Sequence, residues 1–100
     1  MAGLAELYQQ TFADGALSAR TKELIAMGIA ICSHSNDCMA AHVHDAFRAG
    51  ATRQEIMDAI GVAVLMGGES ARLRGCEAFG ALEQFEIELA EERAAQQLEE

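Results

Sequence analysis

Apolar positions recur at intervals of three and four along most of this chain, and no stretch alternates with the period of two that a half-buried strand requires. Leu4, Leu7, Tyr8 and Phe12 form a first helical stripe that stops before the turn signal Ala13-Asp14-Gly15. Ser18 is placed to cap a second helix from Ala19, whose apolar positions Leu24, Ile25, Ile29 and Ile31 run on to Cys32. The polar run Ser33-His34-Ser35-Asn36-Asp37 breaks the pattern, because Ser, Asn and Asp side chains compete for backbone hydrogen bonds and favour caps. A third helix is expected to start between residues 35 and 37, to turn Met39, Val43, Ala46 and Phe47 inward, and to stop at Gly50, which suits a left-handed C-terminal cap.

Thr52-Arg53-Gln54-Glu55 has the form of a capping box, and Ile56, Ile60 and Val64 follow it at four-residue spacing, which predicts a fourth helix. Gly67-Gly68 ends it, permitting a sharp turn or a close helix approach. A long last helix is expected from Glu69 or Ser70 through Leu73, Cys76, Phe79, Leu82, Phe85 and Leu89, with Cys76 packed in the core. Beyond Leu89 the stripe ends. Residues 86–100 carry six glutamates against the single Arg93, the pattern of a solvated, fraying helix end. The chain therefore reads as all-α, a single domain over residues 1–100 with about five helices.

The absence of proline allows long uninterrupted helices. A formal charge of -9 repels phosphate backbones and anionic lipid surfaces, which argues against nucleic acid and membrane as partners. The start Met1-Ala2-Gly3-Leu4-Ala5-Glu6 lacks the features of a secretory signal, and no apolar run is long enough to span a bilayer, so a cytoplasmic location is expected. Cys32, Cys38 and Cys76 are too few for a disulfide framework. A chain of 100 residues, 51% hydrophobic, cannot easily hide Ile25, Ile29, Ile31, Phe79, Phe85 and Leu89 within itself, and a homo-oligomer is expected.

Chemistry concentrates at Cys38 and His42, with Glu23 one helix upstream. A cysteine in the first turn of a helix is favoured as thiolate by unpaired backbone N–H groups and by the positive end of the macrodipole. His42, four residues on, falls on the same face one turn later, so thiol and imidazole form the pattern of an activated nucleophile, with Glu23 available to orient the ring. The plain alternative is a small buried apolar cysteine beside a satisfied histidine.

Lys22-Glu23-Leu24-Ile25, Cys38 with His42, Ala49-Gly50-Ala51-Thr52 through Glu55-Ile56, and Met66-Gly67-Gly68 together resemble the carboxymuconolactone decarboxylase family in its alkylhydroperoxidase D-like branch, over residues 20 to 85. The resemblance implies a small helical domain that assembles through its helices into homo-oligomers, with trimers or hexamers favoured. It also implies thiol peroxidase or disulfide-exchange chemistry on a small-molecule peroxide or disulfide, without a metal or organic cofactor. Glu23, Cys38 and His42 match the branch's glutamate, second cysteine and histidine. Ser35 stands where the branch has the first, resolving cysteine of Cys-x-x-Cys. A hydroxyl cannot resolve a sulfenic acid into a disulfide, so activity is expected to be reduced, lost, or dependent on an external thiol, on Cys32, or on a cysteine of a neighbouring subunit.

Other readings stay open. Cys32 is either a substitute resolving thiol or a core filler at the end of the second helix. Cys32, His34, Cys38 and His42 supply a zinc-like ligand set, but not at zinc-site spacing. His44 falls on another face from His42 and suits solvent or an interface. The family name taken literally points to decarboxylation of a lactone acid, for which Arg20, Lys22 and Arg53 are available cations. A non-catalytic helical assembly module is the third possibility, and Ser35 is its best support.

Overall fold

The computed structural model describes residues 2–33 and 39–99. Among them the chain forms five helices and no strand: α1 (Ala2–Phe12), α2 (Ala19–Cys32), α3 (Met39–Arg48), α4 (Arg53–Gly67) and α5 (Glu69–Glu99). The expected start of the third helix at residues 35–37 lies outside the described residues; α3 is described from Met39.

The helix ends follow the chemistry of their capping residues. Ser18 Oγ accepts from Thr21 N at 3.1 Å, and Asp14 Oδ1 accepts from Ala19 N at 2.7 Å, so the first turn of α2 has two side-chain acceptors. At α4, Thr52 Oγ1 accepts from Glu55 N at 3.1 Å while Glu55 Oε1 accepts from Thr52 N at 2.8 Å, completing the capping box. The end of α3 is closed by Ala51 N donating to Ala46 O across Gly50, whose φ of 100° is open to glycine at little steric cost. Gly68, at φ 75° and ψ −157°, turns the chain from α4 into α5 in a region other residues rarely enter.

Met27, Ile31, Val43, Ile56 and Leu82 are the largest fully buried side chains, drawn from α2, α3, α4 and α5. The core is otherwise rich in alanine. Packing of α5 against α4 corrects the expected stripe: the buried positions are Ala71, Gly75, Ala78 and Leu82, while Leu73 and Cys76 are exposed. The reason is close approach. A Cβ at Gly75 would lie 2.5 Å from Val64 Cγ2, and one at Gly67 2.5 Å from the Ala71 methyl, so these points of the seam admit only small residues.

Among the described residues α1 packs on α2 alone and leaves Leu4, Leu7 and Tyr8 exposed. The helix of α5 continues to Glu99, with its last ten described residues exposed. No helix among the described residues is long and apolar enough to cross a membrane.

Candidate functional site

α2 and α3 pack together and are separated by six residues in sequence. Glu23 precedes the buried Met27 by one turn on α2, on the same face of that helix. On α3, His42 and Asp45, three residues apart, stand next to the buried Val43 and Ala46. All three ionisable side chains are half-buried.

The charges feel one another. Burial and then the neighbouring Asp45 carboxylate push the Glu23 carboxyl above its ordinary range, and His42 opposes them. From α1, the Tyr8 hydroxyl is pushed up by desolvation first, then by Glu23 and Asp45. The structure therefore brings Glu23 of α2, His42 and Asp45 of α3 and Tyr8 of α1 into one electrostatic cluster. Glu23 and His42 were legible in the sequence; Asp45 and Tyr8 were not singled out. The His42-x-x-Asp45 spacing would have pointed to Asp45, whereas nothing in sequence places Tyr8 beside it.

Cys38 and Ser35, the other two predicted site residues, lie outside the described residues. In sequence Cys38 immediately precedes α3 and stands four positions before His42. His44 occupies a different face, as its spacing implies, with its ring 5.0 Å from that of Phe85.

Cys32 is not a core filler. It is exposed, and its Sγ donates to Ala63 O at 3.2 Å. It stands at the edge of an apolar groove of about 590 Å³ between α2 and α4, lined among others by Leu24, Ile25, Ile29, Val62 and Met66. Ile29 and Met66 are 63% and 76% exposed, and Leu65 is 82% exposed. At the C-terminal end of α2, Arg74 Nε donates to Ala30 O at 3.1 Å, a cation at the negative end of the helix dipole. Its Nη2 is buried with no hydrogen-bond partner among the described residues.

The remaining predicted cations do not converge. Arg20 pairs with Glu55 at 3.6 Å, Lys22 Nζ donates to Ala13 O at 2.7 Å, and Arg53 pairs with Glu86 beside the Phe79 ring. Among the described residues no group of three or more His, Cys, Asp or Glu side chains is arranged to hold a metal ion.

Known proteins share this fold. Residues 1–84 match the model of the carboxymuconolactone decarboxylase family. Uncharacterized protein 4 in the cox locus of Paracoccus denitrificans is 40% identical over 80 residues, which is 80% of this chain and 72% of that protein. The crystal structure of a carboxymuconolactone decarboxylase family protein from Legionella pneumophila superposes with a TM-score of 0.77 at 39% identity, covering 85% of this chain and 76% of the other. A Thermotoga maritima protein of that family, for which a part in the antioxidative response has been suggested, shares the fold with a TM-score of 0.80 at 24% identity, covering 90% and 93% of the two chains.

Proposed function

The chain belongs to the carboxymuconolactone decarboxylase family, and from that premise we propose that it is a thiol-dependent peroxidase or disulfide oxidoreductase of the alkylhydroperoxidase D-like kind. Cys38 is the nucleophile in this reading, and His42 and Glu23 handle protons. The reading rests on Glu23 and His42, on the packed helices α2 and α3, lying near enough for their charges to act on each other, with His42 four positions after Cys38 in the sequence.

The Cys38 thiolate attacks one oxygen of a hydroperoxide. An S–O bond forms, the O–O bond breaks, and the departing alkoxide takes a proton from the His42 side and leaves as an alcohol. The cysteine is oxidised to sulfenic acid and the peroxide is reduced. Ser35 offers no thiol, so an external low-molecular-weight thiol attacks the sulfenic sulfur, releases water and leaves a mixed disulfide. A second thiol then displaces Cys38 and departs as the small-molecule disulfide.

Iodoacetamide labelling of Cys38 across pH is expected to give a midpoint below the ordinary thiol value of about 8.5. Peroxide consumption with a small thiol present should vanish in Cys38→Ala and rise in Ser35→Cys. Equal and negligible rates in all three proteins would remove the reading. The lactone-acid decarboxylase alternative finds less support, because Arg20, Lys22 and Arg53 are engaged at separate places.

The exposed groove between α2 and α4 favours a further element of the proposal, self-association into a homo-oligomer, with a trimer or hexamer favoured. Intact self-association without any thiol reactivity is the result that would favour a non-catalytic assembly module.

A further inference from the structure

A second cleft, of about 300 Å³, opens where α3 packs against α5, and the thiol reading makes no use of it. His44 lines it and falls on a different face of α3 from His42. We propose that this cleft binds a small zwitterion, an α-amino acid with an apolar side chain, whose carboxylate meets Arg48 and whose ammonium meets Glu88 and Glu92.

Helical spacing gives the two walls opposite charge. On α3, Arg48 stands one turn after His44, and on α5, Glu92 stands one turn after Glu88, so each pair shares a face of its helix and both pairs line the cleft. The rest of the lining is apolar and comes from Phe47, Phe85 and Leu89, all half-buried. The walls are tied together where the His44 ring packs on that of Phe85, with 5.0 Å between centroids. Gln84 Nε2 donates to Glu88 Oε1 at 3.2 Å and so steadies one carboxylate. Arg48 is the last residue of α3, where the negative end of the helix dipole favours a cation.

The charges of the two walls are not spent on each other. Among the described residues no ion pair takes up Arg48, Glu88 or Glu92. A simple anion that reached Arg48 would be repelled by the two carboxylates, and a simple organic cation by the guanidinium. A molecule carrying both charges meets a partner at each end, and its apolar side chain finds the aromatic lining. The volume stands at the small end of the range for ligand clefts, which suits an amino acid better than a nucleotide.

The test is a titration of the full chain with L-phenylalanine, phenethylamine and hydrocinnamate, at neutral pH and one protein concentration, read from backbone amide shifts by NMR. The three share an aromatic end, phenethylamine lacks the carboxylate, and hydrocinnamate lacks the ammonium. L-Phenylalanine is expected to give saturable shifts around His44, Arg48 and Glu88, with a dissociation constant roughly tenfold below that of either analogue. Arg48→Gln should weaken L-phenylalanine roughly tenfold and leave phenethylamine no weaker. Glu88→Gln combined with Glu92→Gln should weaken L-phenylalanine similarly and leave hydrocinnamate no weaker. All three positions are exposed, and circular dichroism checks that each variant keeps its helices. No saturable shift at these residues, shifts confined to the α2–α4 groove, equal affinity for the three compounds, or variants that bind L-phenylalanine as the wild type does would each overturn the proposal.

Discussion

Gly75→Ala tests whether the α4–α5 seam is set by backbone approach. A Cβ at this buried position would stand 2.5 Å from Val64 Cγ2 and 3.5 Å from Ile60 Cγ2. Valine in a helix has one strongly preferred rotamer, so Val64 has little freedom to swing aside, and the helices must part. Forcing a methyl into a packed seam costs about 1–3 kcal/mol, against which alanine's better helix propensity returns about 1 kcal/mol. With so short a contact the upper part of that range applies, and the net loss is about 1–2 kcal/mol, which lowers the melting temperature of a 100-residue domain by roughly 5–10 °C. Gly80→Ala on the same helix is the control: nothing lies within 4 Å of its Cβ position, so propensity alone acts and stability should rise by about 1 kcal/mol. Urea and thermal melts followed by circular dichroism at one fixed protein concentration measure both. Adding Val64→Ala to Gly75→Ala should cost less than the two separate losses combined. A Gly75→Ala protein as stable as the wild type would refute the reasoning.

Further expectations concern caps, charges and surface. Thr52→Ala should cost about 1 kcal/mol in urea melts, since Thr52 Oγ1 caps α4. The backbone hydrogen bond from Thr52, then Arg20, hold the Glu55 carboxyl below its ordinary range. Its stabilising contribution is therefore present above the unfolded-state value and lost as pH falls through the folded one, and Glu55→Gln should flatten the acid limb of stability. Glu23 has the opposite sign. Its folded carboxyl holds a proton to higher pH than the unfolded one, so stability falls as pH rises through that interval, and Glu23→Gln should gain on the wild type between acid and neutral melts. Ile29→Glu, on the exposed wall of the groove, should reduce the sedimentation coefficient without loss of helicity; an unchanged coefficient would take the groove out of any self-contact.

Periodicity and capping chemistry carried most of the fold, because those signals act within a few residues. Ser18, the Thr52–Glu55 box and Gly50 stand where the sequence placed them. The face of α5 was misread because side-chain size was taken for inwardness. Leu73 and Cys76 look like core, yet the seam admits only what fits between two backbones, and Ala71, Gly75 and Ala78 fit. A stripe of small residues carries a weak hydrophobic signal even where it marks the tightest packing in a fold. Of the two readings of Cys32, core filler fails for a related reason: Cys32 ends an apolar run, but lies where α2 meets Gly67 of α4, at the edge of an open groove.

The site was legible as far as residue type and spacing reach, and no further. Glu23 and His42 are separated by nineteen positions, and it is the packing of α2 on α3 that brings their charges within reach of each other. The same packing brings in Asp45, which in the sequence only its three-residue spacing from His42 marks out. A carboxylate acquires an unusual proton affinity from what folds against it, and Glu23 meets a like charge, an imidazole and a phenol supplied by two other helices. Glu55, of the same chemical type, is pulled the other way by its own N-terminal turn and by Arg20. Two glutamates with opposite displacements on adjoining helices show why a motif can nominate a proton carrier while only the tertiary arrangement decides when it carries one.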